Sequence, residues 1–242
     1  MADADDTSLP DPDVVEHDHP DVTGGWLRPA VFGAMDGLVS NFALIMGVTG
    51  GSSDPKPVLL AGLAGLAAGA FSMAAGEYTS VASQSEYALA QVDVERDEIE
   101  NNSHAEEAEL ASMFVDKGID EQVSREMAAQ VHTDLDNAVR VHAREELGVD
   151  VDDLPSPTLA AVSSFLSFAA GALIPLLPLL LGINASWPTI GLSLAALFGC
   201  GAIVTRITDR PWWFGGLRQL ALGGLAALLT FAVGTAVGQS IS

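Results

Sequence analysis

The stretch LPSPTLAAVSSFLSFAAGALIPLLPLLLGINASWPTIGLSLAALFGCGAIVT, residues 154–205, contains no Asp, Glu, Lys or Arg over 52 consecutive positions. About 20 apolar helical residues cross a bilayer once, so this run is long enough for two crossings with a turn between them. The turn formers Gly182-Ile183-Asn184-Ala185-Ser186-Trp187-Pro188 divide it, and the Trp187 indole suits a membrane interface. The two spans then cover 158–182 and 188–206. A further apolar run, 214–238, follows the interfacial pair Trp212-Trp213, and 29–50 and 58–78 are two more, separated by the Gly-, Ser- and Pro-rich turn 50–57. The expected fold is all-α: a polytopic membrane protein with five transmembrane helices and a helical acidic insert between the second and third.

Charge follows the same division. The 242 residues carry a net charge of −22, yet 49% are apolar and mean hydropathy is +0.32, so the acid must be segregated. Residues 1–27 hold eight acids and no Lys or Arg, and residues 79–157 hold twenty acids against five bases, whereas 28–78 sum to −1 and 158–242 to +2. The chain reads as an acidic, disordered N-terminal tail (1–27), transmembrane helices 1 and 2 (28–78), a polar helical domain (79–157) and transmembrane helices 3 to 5 (158–242). With only ten Lys and Arg, it is not expected to bind the phosphates of nucleic acid. Lys56 and Lys117 are the only lysines, and an Asp-rich, Lys-poor chain suits a cytoplasm of molar salt, where like charges are screened. Lone Cys200 gives no disulfide framework, and the acidic N-terminus does not read as a secretory signal.

Basic residues set the expected orientation. Arg28 precedes the first span, and Arg206, Arg210 and Arg218 flank the loop between the fourth and fifth, on the same side in a five-span topology. By the positive-inside rule the N-terminus, the acidic insert and the 206–218 loop are cytoplasmic, in a multi-pass cell-membrane protein whose C-terminus lies on the opposite side. Nothing between 77 and 101 breaks a helix, so the second span is expected to continue as one long rod. Weak 3.6-residue patterns follow in 105–115 (Leu110, Phe114) and 120–147 (Val123, Met127, Val131, Leu135, Val139), with Gly118 and Gly148 as terminators. No phosphate loop, zinc spacing or serine-nucleophile motif is present, and no enzyme or prosthetic group is expected.

Three groups of residues carry candidate chemistry. Asp36 lies about eight residues into the first span, roughly 12 Å along the helix. A carboxylate there is either functional or placed in a solvated vestibule. Met73 and Glu77, one turn apart at the inner end of the second span, offer a thioether and a carboxylate that together suit a borderline divalent metal such as Fe²⁺; the alternative is packing for Met73 and a membrane-edge marker for Glu77. In the insert, Glu95/Glu98 and Glu106/Glu109 are three apart and His142/Glu146 four apart, so each pair shares a helix face. The insert's eleven Glu supply about as many such pairs by composition alone, so spacing by itself favours a solvated acidic surface.

Phe71-Ser72-Met73-Ala74-Ala75-Gly76-Glu77-Tyr78, after Met35-Asp36-Gly37-Leu38-Val39, resembles the vacuolar iron transporter family, and its prokaryotic branch in particular. The resemblance runs from Arg28 to the C-terminus and includes Val141-His142-Ala143-Arg144-Glu145-Glu146-Leu147-Gly148 and the Pro175/Pro178 pair. It implies a homodimer of five-helix subunits with a cytoplasmic metal-binding domain, exporting Fe²⁺, and also Mn²⁺ or other divalent metals, in exchange for protons in iron detoxification and homeostasis. Mapped onto this chain, the family's insert glutamates fall on Glu95, Glu98, Glu106, Glu109 and Glu146, and its membrane residues on Asp36 and Met73. Two departures stand out: Gly65 occupies the position of a second membrane carboxylate, whose part Glu77 could take, and His142-Ala143 replaces a methionine pair. The runner-up is a membrane-anchored metal buffer or sensor without transport; a scaffold whose acidity is salt adaptation is a third. Gly62, Gly65 and Gly69 in the second span, and Gly216, Gly223, Gly224, Gly234 and Gly238 in the fifth, permit close helix approach, either between subunits or within one.

Overall fold

A computed structural model describes residues 25–52, 54–205 and 211–241. Most of the acidic tail, together with Arg206 and Arg210, lies outside these described residues. The chain folds into α1 (Leu27–Gly51), α2 (Pro55–Asp116), α3 (Glu121–Val131), α4 (Leu135–Glu145), α5 (Pro157–Leu180), α6 (Ser186–Thr205) and α7 (Trp212–Ile241), with no strand among the described residues. Helices α1, α5, α6 and α7 and the first part of α2 are each long and apolar enough to cross a membrane. The protein is an all-α polytopic membrane protein.

The α2 rod starts where Asp54 accepts a hydrogen bond from the Lys56 amide (3.0 Å), with Pro55 in the first turn, where a missing N–H costs nothing. It runs for 62 residues, joining the expected rod and the 105–115 pattern into one element interrupted only by non-helical Asn102 (φ −130°, ψ 31°). Gly118, at φ +88°, ends it, as only glycine does cheaply.

The expected single helix over 120–147 is instead two. Thr133 Oγ1 donates to the Gln130 carbonyl (2.7 Å) and Asp134 accepts from the Asn137 amide (2.7 Å), so a local cap competes with continuation and wins. The apolar stripe changes with it: Val123 and Met127 are exposed, and Ser124 and Ala128 face inward in their place.

In the membrane bundle α1 lies between α5 and α7 at backbone contact. A Cβ on Gly37 would strike the Phe168 carbonyl, one on Gly171 the Ala34 carbonyl and one on Gly234 the Gly47 carbonyl. Three glycines of the second span are also taken up inside the chain: Gly62 faces Leu176 and Ile45, Gly65 faces Leu44 and Asn41, and Gly69 faces the Phe168 ring. Gly216, Gly223 and Gly238 meet Phe198, Leu197 and Gly51 in the same way. The start of α1 meets the start of α5, where Ser163 Oγ donates to the Trp26 carbonyl (2.9 Å). Because the ends of α1 and α7 also pack together, through Gly50, Gly51, Thr235 and Gly238, Arg28 and Arg218 lie toward the end of the bundle that carries the insert.

Candidate metal centres

Ala138, Val139 and Ala143 of α4 pack against Val92 and Ile99 of α2, and this apolar seam sets His142 against Glu95. His142 Nδ1 and Glu95 Oε1 stand 2.8 Å apart, with the imidazole fully buried and Glu95 4% exposed. The two atoms are close without forming an aligned hydrogen bond, and His142 Nε2 also lacks a partner among the described residues. Glu146 follows one turn after His142. Glu95, His142 and Glu146 each bring a ligand atom within 4.8 Å of the other two, close to the spacing required by one first-row divalent ion bound at about 2.1 Å to each donor.

The remaining insert glutamates surround this triad. Glu95 is pushed up to about 7, first by burial and then by the charges of Glu146, Glu106, Glu98 and Glu109. Burial, followed by Glu109, Glu98 and Glu146, also raises the buried Glu106, with His132 opposing. Glu146 is raised by burial and by Glu109 and Glu98, while its contact with Glu95 opposes. His142 is lowered to about 4, by burial and then by His132. The five glutamates singled out in the sequence thus lie in one another's electrostatic field, with Glu95 and Glu106 inside and Glu98, Glu109 and Glu146 exposed at the rim. A neutral imidazole with a free lone pair beside crowded carboxylates is a donor set that could hold a cation.

These shifts have opposite signs in pH. The raised Glu95 contributes to stability fully below its ordinary value of 4.5, and that contribution is lost as pH rises through about 7. The lowered His142 contributes above its ordinary 6.5 and is lost as pH falls through about 4. Metal ligation needs Glu95 ionised, so insert affinity is expected to rise from pH 5.5 to 8 by up to about tenfold per unit below 7, with protons released on binding. Titration calorimetry in buffers of different ionisation enthalpy reads that release; no proton released at pH 6 would remove Glu95 from the ligand set.

One residue of this centre escaped the sequence reading. His132 meets the His142 ring edge-to-face (5.1 Å between centroids, 86°); its Nδ1 lies 2.9 Å from the Ala128 carbonyl, and its Nε2 is buried without a partner. On a continuous helix, positions ten apart point about 80° away from each other. Only the break at 132–134 turns this ring toward His142.

In the membrane, Asp36 of α1 and Met73 of α2 line one cavity of about 240 Å³, together with Ser40, Asn41, Gly65 and Ser72. Asp36 and Met73 are both half-buried. Glu77, one turn nearer the insert, is also half-buried and is not among the residues lining this cavity. Asn41 was the unforeseen member. It is 2% exposed and donates from Nδ2 to the Ala172 carbonyl of α5 (2.7 Å).

Comparison with known proteins gives concordant matches. The profile of the VIT family matches residues 27–235. The vacuolar iron transporter of Acanthamoeba castellanii (strain ATCC 30010 / Neff) is 38% identical over 218 residues, covering 88% of this chain and 78% of that protein. Vacuolar iron transporter homolog 2 of Oryza sativa subsp. japonica is 37% identical over 213 residues (86% and 88%), and vacuolar iron transporter 1 of the same organism is 29% identical over 227 residues (91% and 90%).

Proposed function

The chain belongs to the VIT family, and from that premise we propose that it is a membrane iron transporter exporting Fe²⁺, and also Mn²⁺ or other divalent metals, from the cytoplasm in exchange for protons. The relatives are named transporters and not enzymes, in agreement with the reading of the sequence. The observation that carries the proposal is the pairing of Asp36 and Met73, from two different spans, on one cavity within the membrane bundle. Metal ions and protons are cargo, and no prosthetic group enters the reading.

In this reading the acidic insert collects metal at Glu95, His142 and Glu146, within the field of Glu98, Glu106 and Glu109, and raises its concentration near the membrane. Glu77 takes the ion at the inner edge, and Asp36 and Met73 accept it in the cavity. When Asp36 exchanges metal for a proton, the two fluxes are coupled. The units 1–27, 28–78, 79–157 and 158–242 serve as tail, entry helices, metal-collecting domain and remaining spans. Arg28 and Arg218, toward the insert end, favour a cytoplasmic insert and N-terminus in the cell membrane with the C-terminus opposite. The working unit is taken to be a homodimer.

The test is ⁵⁵Fe²⁺ uptake into proteoliposomes containing a pH dye, with a proton gradient imposed in either direction. Metal flux accompanied by counter-movement of protons is the expected result. Saturable metal binding with no flux would overturn transport in favour of a membrane-anchored buffer or sensor.

A further inference from the structure

We infer that Asn41 is a metal ligand of the intramembrane cavity, a fixed neutral amide oxygen acting beside Asp36 and Met73. The inference rests on the reading that this cavity lies on the ion's path. Asn41 comes five residues after Asp36 on α1 and is almost wholly buried. Its Nδ2 donates to the Ala172 carbonyl at 2.7 Å. A carbonyl oxygen can only accept and an amide nitrogen can only donate, so this bond fixes which way round the amide lies.

The other end of the amide has no such use. Oδ1 is buried and has no hydrogen-bond partner among the described residues, and a buried carbonyl oxygen left unpaired opposes folding. A Cβ placed on Gly65 would lie 3.0 Å from Oδ1 and would also collide with Leu44. Glycine at 65 therefore leaves room for Oδ1 and the Leu44 side chain against the α2 backbone, where a larger residue would press on both. Both residues line the cavity that holds Asp36, Ser40, Ser72 and Met73. The tie to α5 explains the nitrogen of this amide; a cation in the cavity explains the oxygen.

The donor set has a consequence for release. One carboxylate, one amide oxygen, hydroxyls and a thioether suit a partly dehydrated first-row divalent cation such as Fe²⁺ or Mn²⁺, and among the described residues of one chain they supply a single negative charge. Asn41 provides coordination without a second carboxylate that would trap it.

The test is the concentration dependence of ⁵⁵Fe²⁺ flux for the full-length protein in proteoliposomes, comparing Asn41→Asp and Asn41→Leu. Each ends the amide's donation to Ala172, so if Asn41 only pins α1 to α5, the two variants should change KM in the same direction. Ligation predicts opposite directions: KM lowered about threefold or more with slower turnover for Asn41→Asp, and KM raised about tenfold or more for Asn41→Leu. Shifts of the same sign, or none in either variant, would overturn the inference. If Asn41→Leu fails to fold, the sign of the Asn41→Asp shift decides alone, because structural damage raises KM and an added ligand lowers it. Asp36→Asn, assayed in parallel, separates the two levels. Wild-type flux there rejects the cavity as the path, whereas lost flux there with unmoved KM in both Asn41 variants rejects Asn41 alone.

Discussion

Asp36→Asn is expected to lower metal flux at least a hundredfold and to abolish the coupled proton flux, while the protein stays folded and the insert keeps its metal affinity. Asn has the shape of Asp but can never ionise, so in the proposed mechanism the substitution removes proton exchange and most of the Coulomb attraction for the ion without opening a void. Asp36 sits half-buried on a cavity shared with Met73, where low surrounding polarity makes a single charge count for more than it does in water. Because the ligand is lost in the transition state for translocation, the loss should fall on turnover as well as on KM. ⁵⁵Fe²⁺ uptake with an internal pH dye measures both fluxes, and the thermal midpoint together with metal binding at the insert checks that the rest of the molecule is intact. A buffer or sensor would not notice the change, since its metal never reaches α1. Wild-type flux in a folded Asp36→Asn protein would leave the proposed intramembrane path without the one acid among the described residues lining the cavity.

How far the sequence could be read differs by level. Spans were legible because a charge-free run and a turn are local signals: 158–182 becomes Pro157–Leu180 and 188–206 becomes Ser186–Thr205. The rod from 77 to 101 was legible as an absence of breakers, yet the irregularity at Asn102 left no comparable mark. In the insert, Thr133 and Asp134 carried a readable cap signal that the apolar spacing of Val123, Met127 and Val131 outweighed, and the cap won because α3 can bury Ser124 and Ala128 instead. Asp36 and Met73 could each be singled out on its own helix, but their meeting on one cavity is a product of α1 crossing α2. Asn41 and His132 depend wholly on such tertiary contacts. A polar residue inside an apolar helix, or a histidine on an acidic surface, has no distinguishing spacing until its neighbours on other elements are known.

The insert poses a related question, because its acidity alone attracts cations. Twenty acids against five bases make a strong field at low ionic strength, but at molar salt that field reaches only about 3 Å. A site that works there must be held by geometry. The exposed Glu98 and Glu109 are open to screening, whereas Glu95 and His142 are not. Glu95→Gln combined with Glu146→Gln should therefore weaken metal binding to the full-length protein about a hundredfold, close to 2.7 kcal/mol, and the loss should persist in molar salt. Asp152→Asn combined with Asp153→Asn removes the same charge from exposed positions and should change affinity less than about threefold, an effect that salt abolishes. Asp150 is unsuitable for this control because it pairs with Arg144 at 2.6 Å, two residues from His142. Glu95→Gln also relieves a crowded, buried carboxylate, so the metal-free protein should unfold at an equal or higher temperature at pH 8, which rules out misfolding as the source of lost affinity. Calorimetric titration with Mn²⁺ at low and high salt reads both pairs. Equal losses from the two, vanishing together in salt, would show that bulk acidity binds the metal and that the Glu95, His142 and Glu146 triad does not.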